Sequence, residues 1–220
     1  MTLLDADLPV ELVPLSWLIG VWEGTGVLSY PVGSETRTYE FGQRVSFSHD
    51  GLPHLNYNSY TWLLEESGES GESGESEESE ESADSVTEFN RPLATELGYW
   101  RLGRRATDAD PGPGLLAGAG DPAFATAEAV ETLRNADGGF DLEVSILHPG
   151  GVSELYLGQV KGPRVDLATD AVMRSSTAKE HTASTRRYGL VEGHLLWAWD
   201  LAALGQELQS HASARLARVD

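Results

Sequence analysis

The stretch from Leu15 to Pro31, LSWLIGVWEGTGVLSYP, limits the folds open to this chain more than any other. It begins as a short apolar segment of helical character and changes at Gly20 to a period of two. Trp22, Gly24, Gly26 and Leu28 then share one side of a strand, with Val21, Glu23, Thr25 and Val27 on the other. Glycines on one face leave room for close backbone approach or a sharp bend, as at the corner of a small barrel. A Trp ahead of two such glycines predicts a lid over a closed end and a strand that curls away from it. Pro14 to Leu18 would form one helical turn, with Trp17 and Leu18 plugging the barrel.

The same alternation recurs downstream. In Tyr39–Ser48, residues Tyr39, Phe41, Gln43, Val45 and Phe47 share a face; in Leu55–Leu64, Leu55, Tyr57, Ser59, Thr61 and Leu63 do so. His49-Asp50-Gly51-Leu52-Pro53 between them is turn chemistry. Strand-like runs follow at Val86–Leu102, Ala127–Leu133, Phe140–Leu147, Ser153–Val160, Arg164–Met173, Glu180–Leu190 and His194–Ala202. Gly- and Pro-containing turns separate several of them. The pattern predicts an all-β protein, an antiparallel up-and-down barrel of about ten strands, a form that leaves no sheet edge exposed. Gln206–Val219 reads as the strand that closes it beside the first, with His211, Ser213, Arg215 and Ala217 on one face and Ala212, Ala214, Leu216 and Arg218 on the other.

The expected organisation is a flexible arm over residues 1–14 and a single barrel domain over 15–220. Two insertions interrupt the barrel. Residues 65–85 are Glu/Ser/Gly repeats with mutually repelling charge, which predicts disorder. Residues 104–123 are Gly-, Pro- and Ala-rich and predict irregular structure. Much of the net charge of −20 belongs to the first insertion; even so, it argues against nucleic acid and membrane as partners, which reward clustered Lys and Arg. There is no cysteine, so disulfides, thiol chemistry and Cys-ligated metals are excluded and a cytoplasmic location is expected. Neither a signal peptide nor an apolar membrane span is legible. Assembly into a homodimer is left open.

Few residues suggest chemistry by type alone. The six histidines are His49, His54, His148, His181, His194 and His211, and none forms a helical chelate. Gly24-Thr25-Gly26 lacks the third glycine and following helix of a dinucleotide motif. His194 follows a turn, His49 and His54 bracket one, and the face of His181 depends on register. Composition gives His211 no special standing.

Order of motifs does. Gly20-Val21-Trp22-Glu23-Gly24-Thr25-Gly26 resembles the Gly-x-Trp-x-Gly-x-Gly signature of the nitrobindins. The resemblance continues through Tyr30-Pro31, Phe47–Pro53, Tyr57, Thr61-Trp62, Pro92–Arg101, His148-Pro149-Gly150-Gly151, Thr177–Glu180, Arg187-Tyr188, Gln206–His211 and Arg215–Arg218. Nitrobindins are heme-binding β-barrels shaped like fatty-acid-binding proteins and lipocalins. The resemblance implies heme b as cofactor, His211 as its proximal iron ligand and the catalytic centre, and Lys179 as a cofactor-binding residue pairing with a heme propionate. It implies peroxynitrite isomerase activity at ferric heme, giving nitrate, and reversible nitric oxide binding at ferrous heme. Gly20, Trp22, Gly24 and Gly26 read as architecture.

The chain departs from the pattern at two positions. Ala94 stands where the family often has a distal His, and Val32 where it has a Thr, a contact that Thr36 or Thr38 would have to supply. Two further readings compete with heme chemistry: a carrier of a fatty acid or other apolar molecule without heme, and an acidic loop that recruits a basic partner.

Overall fold

The structure, a computed structural model, describes residues 7–32, 35–64 and 91–219. The acidic insertion expected at 65–85 lies outside them. Ten antiparallel strands form a closed barrel: β1 (Gly20–Val32), β2 (Glu35–Ser48), β3 (Leu55–Leu63), β4 (Arg91–Leu102), β5 (Phe140–His148), β6 (Val152–Val160), β7 (Arg164–Arg174), β8 (His181–Val191), β9 (His194–Ala203) and β10 (Gln209–Val219). Each pairs with its neighbours in sequence, and β10 closes on β1 from Val21 opposite Val219 to Leu28 opposite Ala212. This is the barrel, and the closing strand, that the alternation predicts. No helix among the described residues is long and apolar enough to cross a membrane.

The glycines of β1 make that closure possible. A Cβ on Gly24 would lie 2.3 Å from the Arg215 carbonyl oxygen, and one on Gly26 would lie 2.3 Å from that of Ser213 and 2.5 Å from the Phe41 ring. Both contacts are far inside van der Waals distance, so only glycine lets the first and last strands approach here. Trp22 is the expected lid. It is fully buried, its Nε1–H donates to the Leu18 carbonyl at 2.7 Å, and the Arg218 guanidinium lies 4.5 Å above its ring.

The plug is longer than the sequence suggests. A 3₁₀ helix spans Val10–Leu18, so residues 10–14, expected as part of a loose arm, are packed. Leu12, Leu15 and Leu18 are fully buried in the core. Glu11 accepts from Arg104 at 2.5 and 3.0 Å, and Arg104 donates in turn to Asp110 at 2.7 and 2.9 Å. That pairing, with hydrogen bonds from Thr107, holds the Asp110 carboxyl well below the usual range, and it ties the start of the 104–123 insertion to the plug.

A second correction concerns Ala127–Leu133, expected as a strand. Residues Ala127–Glu131 form a short helix, α1. Thr126 caps it, its Oγ1 accepting from the Ala129 amide at 3.2 Å, and Ala and Glu supply good helix propensity.

In an up-and-down barrel alternate connections fall at opposite ends. The plug, Trp22 and the ends of β2, β4, β6, β8 and β10 mark one end. At the other end β1, β3, β5, β7 and β9 finish, and Lys179 and the start of β10 lie there.

Candidate functional site

His211 owes its direction to a bulge. Along β10, Ala212, Ala214 and Leu216 are buried while Ser213 and Arg215 are exposed. Strict alternation would therefore send His211 outward with Ser213. Instead the β9–β10 register passes from Ser210 opposite Asp200 to Ala212 opposite Trp199, and His211 is the extra residue. A bulge residue is free of the ladder and can aim its side chain independently. Its Nδ1 lies 3.1 Å from the Ser29 carbonyl oxygen of β1, and its ring meets Trp199 edge-on at 5.1 Å and 82°.

The carbonyl of Ser29 can only accept, so Nδ1 carries the proton and Nε2 keeps its lone pair. Burial pushes the His211 pKa down against the raising effect of that hydrogen bond, so the ring is neutral. A neutral imidazole with its rear nitrogen anchored to a carbonyl is the donor form that binds heme iron. A cleft of about 150 Å³ borders the ring, lined among others by Ser29, Tyr30, Pro31 and Leu201.

Beneath Trp199 lies a buried polar network. Glu154, 2 % exposed, accepts at its two oxygens from His148 and His181, each at 2.8 Å, and from Ser184 at 2.7 Å. Arg186 grips Glu96 through two hydrogen bonds of 2.9 and 2.6 Å, donates to Tyr156 at 3.0 Å, and Tyr57 donates to Glu96 at 2.8 Å. Burial alone would raise both carboxyls. For Glu154 the two histidines, and for Glu96 the Arg186 charge, hold them low instead. Burial likewise pushes the Tyr57 and Tyr156 hydroxyls well up, so both stay protonated donors.

This floor decides against the apolar-carrier reading. An aliphatic chain entering the barrel would have to displace a desolvated ion pair that is costly to break.

The other expected residues divide. Lys179 is exposed in the β7–β8 connection at the same end as His211, and its carbonyl accepts from Arg174 at 3.4 Å. Gly20, Trp22, Gly24 and Gly26 lie along β1 in the half nearer the plug, where they serve closure. Ala94 is exposed on β4, as are Thr36 and Thr38 on β2; the side chain of Val32 lies outside the described residues. His194 is half-buried, its Nδ1 near the Glu192 carbonyl at 3.0 Å, and His54 packs edge-on against Tyr99. His148 and His181 stand among the six histidines weighed from sequence, but without a role in such a network; Trp199, Glu154, Arg186 and Glu96 have none there either. The alternation of Ser184, Arg186 and Tyr188, all buried on β8, is a signal of a polar interior that the sequence carries, as is the place of Gln43 and Ser59 on inward faces.

The sequence model of the THAP4-like, heme-binding beta-barrel domain matches residues 11–218. A peroxynitrite isomerase of Clavibacter michiganensis subsp. michiganensis is 59% identical over 217 residues, covering 99% of this chain and 98% of that protein. Peroxynitrite isomerases of Leifsonia xyli subsp. xyli and Paenarthrobacter aurescens are 57% and 49% identical, at 98% or more coverage of each chain. Among solved structures, Rv2717c from M. tuberculosis superposes with a TM-score of 0.61 at 25% identity, covering 97% of this chain and 99% of that one.

Proposed function

The chain belongs to the THAP4-like, heme-binding β-barrel family, and on that premise we propose that it binds heme b through His211 and isomerises peroxynitrite to nitrate. The observation that carries the reading is the state of His211: Nδ1 donating to Ser29, the pKa lowered by burial, and Nε2 keeping its lone pair. Bound heme supplies a Lewis-acidic iron for rearranging the peroxide O–O bond of peroxynitrite. The protein's part is to bind and orient. His211 presents its nitrogen in a fixed tautomer; the Ser29 carbonyl holds the proton on the other nitrogen; the aromatic wall of Trp199, with Tyr30 stacked on Tyr39 at 5.9 Å, gives the mouth apolar surface for a porphyrin.

Lys179 is proposed as the propionate partner, supported by its charge, its exposure and its place at the same end as His211. Such a pair at a wet rim is weak. Reversible nitric oxide binding at ferrous heme is proposed on the same ligand. The cysteine-free sequence supports a cytoplasmic location. Peroxynitrite isomerases from Clavibacter and Leifsonia, alike over nearly their whole length, support the activity.

The test is stopped-flow decay of peroxynitrite with hemin-reconstituted protein, with nitrate and nitrite yields measured at the end. The proposal expects faster decay with nitrate as product, and loss of that acceleration in His211→Ala. Decay no faster than with apo-protein would refute it.

A further inference from the structure

We infer that Trp199 is a positioning residue that seats the imidazole of His211, and that the buried Glu154 carboxylate, through His148 and His181, holds Trp199 in place. The inference rests on the reading of His211 as the heme ligand. As the bulge residue of β10, His211 lacks a ladder partner on β9, so its backbone does little to fix its ring. The hydrogen bond from Nδ1 to Ser29 fixes one point. A ring held at one point still rocks about that axis. The indole of Trp199, 82° to the imidazole plane at 5.1 Å, closes the remaining freedom.

Trp199 is itself held by its faces. The Arg186 guanidinium lies 4.3 Å above its ring, and that cation is pinned by the two hydrogen bonds to Glu96. His148 lies nearly parallel to the indole, 12° and 6.3 Å, and His181 is tilted at 34° and 6.4 Å. The two imidazoles cannot drift, because Nε2 of each bonds a different oxygen of Glu154 at 2.8 Å. The indole Nε1 is buried with no hydrogen-bond partner among the described residues, so ring shape and not a polar bond keeps Trp199 in position. A second aromatic ring should therefore replace it, whereas an aliphatic side chain should not. For Glu154 the requirement is different: Gln offers one acceptor in place of two and cannot bond both histidines in the same way.

The experiment compares wild type, Trp199→Leu, Trp199→Phe, Glu154→Gln and His211→Ala, each checked for its β-sheet circular dichroism. Hemin affinity is read from Soret titration, the iron–imidazole stretch from resonance Raman of the ferrous protein, and the His211 ring tautomer from ¹⁵N NMR of the apo-protein. The expected result is an affinity loss of about 10-fold in Trp199→Leu, the size seen when a group behind a metal ligand is removed. A shifted or broadened stretch and a mixed apo tautomer should accompany it. Trp199→Phe should restore all three, and Glu154→Gln should broaden the stretch with a smaller affinity loss. Should Trp199→Leu fail to fold, the Phe and Gln variants still decide: an unchanged stretch in Glu154→Gln, or damage in Trp199→Phe, overturns the inference. Wild-type values in Trp199→Leu overturn it alone if His211→Ala loses hemin. If His211→Ala keeps hemin, the ligand assignment beneath it has failed.

Discussion

At the plugged end of the barrel the core contacts are apolar: Leu12, Leu15 and Leu18 from the 3₁₀ helix meet Trp22 and the strand cores, while the Glu11, Arg104 and Asp110 ion pairs fasten the plug from beside that core. At the other end buried side chains of comparable bulk are Glu154, Glu96, Arg186 and Tyr156, with His148, His181, Trp199 and His211 above them. The first arrangement gains stability from area removed from water and tolerates small losses of shape. The second spends desolvation energy on charges and recovers it only while every partner is present. That contrast assigns stability to one end and geometry to the other, because a costly, mutually satisfied network fixes side-chain positions in a way that aliphatic packing does not.

The contrast can be broken by substitution. Arg186→Leu strips the partner from the buried Glu96 and should cost about 3–5 kcal/mol in chemical denaturation, the largest effect here. A loss below about 1 kcal/mol, the scale of an exposed pair, would mean that the network is not closed. Leu15→Ala at the plugged end should cost about 3 kcal/mol, within the range for buried Leu truncations, yet leave hemin affinity as in wild type. A matching fall in affinity would show that the two ends are not separable. Gly24→Ala forces a Cβ against the Arg215 carbonyl and should cost about 1–3 kcal/mol in thermal or chemical unfolding, through the β1–β10 seam.

Acid should act on the polar end. The folded pKa of Glu154 lies below its ordinary value, so its share of stability is complete above the ordinary carboxylate range and disappears as pH falls through the depressed value. Tm measured against pH should fall less steeply on the acid side in Glu154→Gln than in wild type. The smallest effect belongs to Lys179→Ala: an exposed pair is worth about 1 kcal/mol or less, so hemin affinity should drop by less than about 5-fold.

The strands were legible because alternation is local. Phe41, Gln43, Val45 and Phe47, or Leu55, Tyr57, Ser59 and Thr61, can be assigned to a face without knowing anything else. What failed was where local signals compete: TAEAVETL alternates weakly but is also rich in helix formers and capped by Thr126. The plug began early because Glu11 answers Arg104, a partner 93 positions away. The site was the least legible part. His211 came from motif order, since strict parity would have turned it outward with Ser213. His181 escapes the same parity on β8 through a second register shift, between His181 and Ala183. Bulges depend on the neighbouring strand, and the Arg186–Glu96 pair spans 90 positions, so neither is written in any one stretch.

Titration of the apo-protein with hemin, followed at the Soret band for wild type and His211→Ala side by side, tests the central claim most directly. The account predicts a saturable, five-coordinate histidine-ligated spectrum in wild type and its loss in the variant. The same spectrum and affinity in both would contradict it.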